Sequence, residues 1–125
     1  MNTGLQNFKG RPANENFGWT AVCALDDLMP LLGARVLLGD RQIALFRMPD
    51  GGVYAIGAYD PCSDAAVLSR GIVGDLKGEP VVASPIYKHH YSLRTGRCLE
   101  KPSLGVPVYR VRVQDGQVQV MPAPY

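Results

Sequence analysis

Histidine and cysteine are scarce in this chain, and long apolar runs and one-signed charge blocks are missing. There are two histidines, adjacent at His89 and His90, and three cysteines, Cys23, Cys62 and Cys98. An odd number of widely spaced cysteines with no Cys-x-x-Cys pair argues against a disulfide framework or a zinc site. Cys23 and Cys98 are expected to be small core residues, and Cys62 an inert loop thiol. No apolar stretch approaches the ~20 residues that a membrane-spanning helix needs. Residues 1–18 are polar and lack the apolar centre of a signal peptide, so they read as a loose N-terminal arm before a single domain at 19–125. A cytoplasmic protein is expected. The net charge of +2 is too small to argue for nucleic acid or an anionic membrane, and no basic run forms a phosphate-tracking stripe.

What is present is an all-β pattern. The 125 residues suit one domain, and 46% apolar with 19% charged residues is an ordinary globular balance. Short apolar runs alternate with turn residues. Strands are predicted at 19–24, 34–38, 42–47 and 53–57, with Gly39-Asp40 turning the second into the third. Leu25-Asp26-Asp27-Leu28 reads as one helical turn before Pro30, the only helix expected. Residues 60–71 have no strand periodicity and read as a loop. Gly71-Ile72-Val73-Gly74 reads as a turn rather than a phosphate cradle, because no helix follows. The clearest hairpin puts Tyr109, Val111 and Val113 on one face, turns at Asp115-Gly116, and continues that face with Val118 and Val120. Trp19, Phe46, Tyr54 and Tyr109 are expected in the core or on a sheet face.

Two loops carry the most information. The second runs Ser84-Pro85-Ile86-Tyr87-Lys88-His89-His90-Tyr91-Ser92 and closes with Leu93-Arg94-Thr95-Gly96-Arg97-Cys98-Leu99. It resembles the second loop of a Rieske domain, which reads Cys-Pro-x-His-Gly, an aromatic, then Leu-x-Thr-Gly. Ser84 stands at the cysteine position and Tyr87 at the histidine position. The first loop, Tyr59-Asp60-Pro61-Cys62-Ser63, puts Asp60 and Cys62 where a Rieske domain has Cys and His, or Pro61 and Ser63 if shifted by one residue, and neither register gives a Cys-x-His pair. A Rieske cluster needs two thiolates on one iron and two imidazoles on the other. Ser84 gives no thiolate, and the phenol of Tyr87 ionises only near pH ~10, a poor substitute for imidazole. Asp60, Cys62, Ser84 and Tyr87 therefore read as degenerate ligand positions, and no metal is expected. Hydrogen bonds must fasten the loops instead, with Asp60 or a nearby carbonyl accepting from Tyr87 or Ser84.

The stretches Val67–Asp75, Gly78–Pro85 and Leu93–Leu99 closely resemble the small subunits of NAD(P)H-dependent nitrite reductase. That resemblance implies an all-β Rieske-like [2Fe–2S] ferredoxin fold, an antiparallel β-sandwich with a cluster-less tip. It implies a nitrite reductase large subunit as partner, carrying FAD, siroheme and an iron–sulfur cluster. This chain would then hold no cofactor and no catalytic residue while supporting the reduction of nitrite to ammonium. Lys88, His89, His90 and Arg94 are the candidate partner-binding residues, as a basic patch near the second loop. Two rivals remain: a Rieske ferredoxin component of an oxygenase, and a free-standing interaction domain. The choice between NADH and NADPH lies on the other chain.

Overall fold

Hairpins form wherever alternating runs meet a tight turn. The computed structural model describes residues 18–124. Nine strands run in chain order: β1 (Thr20–Ala24), β2 (Ala34–Leu38), β3 (Arg41–Arg47), β4 (Val53–Gly57), β5 (Ile72–Leu76), β6 (Glu79–Ala83), β7 (His90–Ser92), β8 (Val108–Gln114) and β9 (Gln117–Pro124). Lys77-Gly78 and Asp115-Gly116 join β5 to β6 and β8 to β9. Both residues of each turn have positive φ, at 53° and 87° and at 54° and 76°. That backbone twist matches the twist of the strands it connects.

Every pairing between strands is antiparallel, in a six-stranded sheet ordered β1-β9-β8-β4-β3-β2 and a three-stranded sheet ordered β5-β6-β7. The outer strands β1 and β2 touch, so the larger sheet curls on itself. β3 explains why the run Ile43-Ala44-Leu45-Phe46 does not alternate with polar residues: all four are fully buried. Ala44 and Phe46 face a core shared with Ile56, Leu68, Val82, Tyr91, Leu93 and Cys98, between the two sheets. Ile43 and Leu45 face a second core with Ala55, Tyr109, Val118 and Val120, inside the curl. Each such large side chain contributes ~1.5–3 kcal/mol of burial.

Most strand expectations hold, and four details differ. The segment at Gly71–Gly74 is not a turn: β5 begins at Ile72 and runs straight through Gly74 in ordinary strand backbone. Residues 60–71 include a second 3₁₀ turn, Leu68–Arg70, whose Leu68 is a fully buried core residue. Val113 is exposed next to the Asp115-Gly116 turn of the β8–β9 hairpin, whose register shifts at its other end, between Tyr109 and Val111. Cys98 is buried, but Cys23 is only half-buried. Trp19 lies on the sheet face under the Arg112 guanidinium, 4.6 Å from the ring centre. The expected arm at 1–18 falls outside the described residues except for Gly18. Among the described residues, no helix is long and apolar enough to cross a membrane.

Candidate functional site

Asp60 is fully buried where the two loops meet, beyond the Ala83 end of β6. Burial of a carboxylate is tolerated only when its lone pairs are filled. Here they are. Oδ2 accepts from the Ser84 hydroxyl at 2.5 Å and the Ser63 hydroxyl at 2.8 Å. Oδ1 accepts from the Tyr91 hydroxyl at 2.7 Å and the Cys62 amide at 3.0 Å. Pro61 starts the turn, and the bond to the amide two residues on is the usual Asp contribution to such a turn. The Asp60 amide donates to the Ala65 carbonyl, which closes the first loop on itself.

The second loop is closed as tightly. The Ser84 amide donates to the His89 carbonyl at 2.9 Å, and the Lys88 amide donates to the Ser84 carbonyl at 3.0 Å. The Ser84 hydroxyl also accepts from the Ile86 amide at 3.3 Å. One carboxylate thus links the first loop, the second loop and β7.

Electrostatics agree with this role. Burial pushes the Asp60 carboxyl up, but the bonds from Ser84, Tyr91, Ser63 and the Cys62 amide outweigh it and hold the group below its ordinary value. Burial, and then the bond to Asp60, push the Tyr91 phenol well above its ordinary value. Tyr91 therefore stays a donor and Asp60 an acceptor across the neutral range.

The expected fastening by Ser84 is present. The alternative through Tyr87 is not: Tyr87 is 61% exposed and turns outward. The phenol that reaches Asp60 belongs to Tyr91, four residues later. Tyr91 alternates with His90 and Ser92 along β7: it enters the core with Leu93, while Ser92, also buried, turns its hydroxyl to Glu79 and His90 meets Glu100. That alternation was available in the sequence, although β7 is only three residues long.

A Rieske cluster does not fit the residues present. Asp60 is committed to four donors, Ser84 and Tyr91 are hydroxyl donors, Tyr87 faces outward, and Cys62 offers one thiol. Among the described residues, no three His, Cys, Asp or Glu side chains converge where a metal ion could sit.

The partner candidates do not form one patch. Lys88 is exposed at the tip with a positive φ of 63°. His89 is beside it, half-buried, and its Nδ1 is enclosed without a hydrogen-bond partner. The His90 Nδ1 is 2.6 Å from Glu100, whose carboxylate also accepts from the His90 amide. Arg94 lies beyond the other end of β6, 3.9 Å from Glu79. The four strand steps from Glu79 to Ala83 separate it from the tip by about 13 Å. Three large apolar side chains instead flank the Asp60–Ser84 junction: Tyr59, Ile86 and Tyr87 are all about half exposed or more. Sequence reasoning passed over Tyr59 and Ile86 because a lone exposed apolar residue is unremarkable. What makes Tyr59, Ile86 and Tyr87 informative is their place in the chain, next to Asp60 and two and three residues after Ser84, Asp60 and Ser84 being bonded to each other.

Residues 18–121 match the family model of the Rieske-like [2Fe-2S] domain. The chain is 42% identical over 103 residues to the nitrite reductase (NADH) small subunit of Escherichia coli, covering 82% of this chain and 95% of that protein. It is 45% identical over 112 residues to a nitrite reductase [NAD(P)H] large subunit of Klebsiella oxytoca, covering 90% of this chain but only 12% of that protein's length. The solution structure of a nitrite reductase [NAD(P)H] small subunit from Erwinia carotovora superposes with a TM-score of 0.73 at 44% identity, over 85% of this chain and 82% of that one.

Proposed function

The chain belongs to the Rieske-like [2Fe-2S] domain family and, within it, to the small subunits of NAD(P)H nitrite reductase, and on that premise we propose that it acts as a cofactor-free docking subunit of a cytoplasmic enzyme. Its partner is the large subunit, which reduces nitrite to ammonium with its own FAD, siroheme and iron–sulfur cluster. One observation carries the reading. The tip that would hold a cluster keeps its two loops, tied by Asp60, and surrounds them with Tyr59, Ile86 and Tyr87. A rigid, half-apolar surface with aromatic anchors is what protein interfaces use, because little conformational entropy is lost on binding. The similarity of this chain to a stretch of a protein named as a large subunit supports the same partnership.

Docking therefore uses Tyr59, Ile86 and Tyr87 as anchors, with Lys88 and His89 at their rim, and leaves Arg94 outside. Titrating purified large subunit with the double variant I86A/Y87A should give a dissociation constant about ten- to a hundred-fold weaker than with the natural chain, the loss of roughly 1.4–2.8 kcal/mol expected for interface anchors. R94A, at the far end of the domain, should bind normally. Unchanged affinity in I86A/Y87A rejects the tip as the docking face. A nitrite-reduction assay of the large subunit with and without this chain then tests whether docking supports turnover.

The ferredoxin reading makes a different demand. It requires about two irons per chain and the visible absorption of a [2Fe–2S] centre. The donor set at the tip predicts a colourless protein with no stoichiometric iron. An iron assay on freshly purified protein decides between them.

A further inference from the structure

Among the described residues β5 is an edge strand that pairs only with β6. Ile72, Gly74 and Leu76 point to one face, and Ile72 is 70% and Leu76 40% exposed. The strand carries no Lys and no Pro, the usual guards against edge-to-edge pairing. Its one charge, Asp75, turns back on its own hairpin, where the carboxylate accepts from the Gly78 amide at 3.0 Å.

The hydrogen-bonding direction follows from Pro80. Its carbonyl accepts from the Leu93 amide at 2.9 Å, so Pro80 faces the β7 side. Asp75, opposite Pro80, therefore turns its own N–H and C=O away from β6. By alternation Val73 does the same. Among the described residues, two residues of β5 thus turn backbone donors and acceptors to the open edge of this sheet without a partner.

Gly74 lies between them. Its φ is not positive, and a Cβ built there meets nothing within 4 Å. The fold does not require glycine at this position, and glycine weakens a strand interior. Glycine there leaves the approach of another backbone unobstructed.

We propose that β5 pairs with β5 of a second copy of this chain, antiparallel, across a two-fold axis through Gly74. The register is self-complementary. Val73 of each copy exchanges N–H···O bonds with Asp75 of the other, four in all. Ile72 packs on Leu76 of the other copy, twice. Gly74 faces its own mate as a non-hydrogen-bonded pair, where Cα atoms come within ~4.5 Å. The contact is smaller than the ~1,000 Å² of a stable dimer, so association is weak and concentration-dependent. This inference is independent of the tip and of the large subunit.

Sedimentation over about 10 µM to 1 mM should show the mass rising from 13.6 kDa toward double, the range expected for a small interface. The Val73 and Asp75 amides should gain exchange protection over the same range. G74A, whose methyl still fits the axis, should keep both effects. G74K, which puts like charges face to face, should abolish both while its circular dichroism and melting stay those of a folded protein. A mass that stays at one chain throughout overturns the proposal, as does self-association that G74K leaves intact. So does protection of the two amides only when large subunit is added, which gives the edge to that partner instead.

Discussion

Replacing Asp60 with alanine should cost about 3–5 kcal/mol of stability, the sum expected when two buried hydroxyls, the half-buried Ser63 hydroxyl and one amide lose a charged acceptor. The hydroxyls of Ser84 and Tyr91 are on fully buried residues and have no water to turn to. For a domain of this size the melting temperature should fall by roughly 10–20 °C. D60N should cost less, about 2 kcal/mol, because one oxygen remains while the amide group must face hydroxyls that now have to accept. Y91F should cost less again, about 1–2 kcal/mol, since Asp60 keeps three donors. Thermal or urea unfolding of the three variants checks the order. If D60A melts within about 2 °C of the natural chain, a shift worth under 1 kcal/mol, Asp60 is not the fastening of the tip.

The same carboxylate sets a pH dependence. Asp60 lies below its ordinary value in the fold. Its stabilisation is therefore complete above about pH 4, the unfolded value, and is lost as the pH falls through the lower folded value. At neutral pH the latch is fully closed. D60N should flatten this acid limb, so the stability gap between the two proteins should narrow below about pH 4.

Docking at the tip and the fastening at its base are connected. Tyr59 precedes Asp60, and Ile86 and Tyr87 follow Ser84 by two and three residues. A loosened hub would let the anchors move relative to one another. Variants at Asp60 should thus weaken large-subunit binding by indirect means, whereas I86A/Y87A should weaken it without lowering the melting temperature.

The hairpins were legible because period-two alternation and turn chemistry agree along them. The β2–β3 pair follows its pattern almost residue for residue, and the β8–β9 hairpin does so apart from the exposed Val113 and the irregularity between Tyr109 and Val111. β5 was misread because glycines at 71 and 74 look like punctuation, while an exposed edge strand has little apolar signal to set against them. β7 was missed because three residues starting with histidine leave too short a window. At the tip, residue identity located the hub at Asp60 and Ser84, but only backbone direction decides between Tyr87 and Tyr91. The left-handed backbone at Lys88 comes between them, and no composition rule anticipates it.

Gly96→Ala should be among the most damaging single changes in the chain, at about 3–5 kcal/mol. The Leu93-Arg94-Thr95-Gly96 segment looks like a functional motif, but every contact it makes is architectural. The Ser92 hydroxyl donates to Glu79 and accepts from the amides of Arg94 and Thr95, both at 3.1 Å. The Gly96 amide returns to the Ser92 carbonyl at 2.8 Å, and the Gly96 carbonyl accepts from the Val106 amide at 2.8 Å. Gly96 has a φ of 78°, and an added Cβ would be 2.1 Å from the Val106 carbonyl oxygen, inside any permitted contact. Gly116 is the control. Its φ is 76°, and a Cβ there meets nothing within 4 Å. Left-handed strain alone costs ~1–2 kcal/mol, so G116A should lose about that much, and the excess in G96A measures the clash with the Val106 carbonyl. Equal losses in the two variants would show that this segment is merely a turn. A larger loss in G96A, without loss of tip anchors in the folded fraction, would show that the segment is kept to hold Leu93 and Tyr91 against the core on which the Asp60 hub stands.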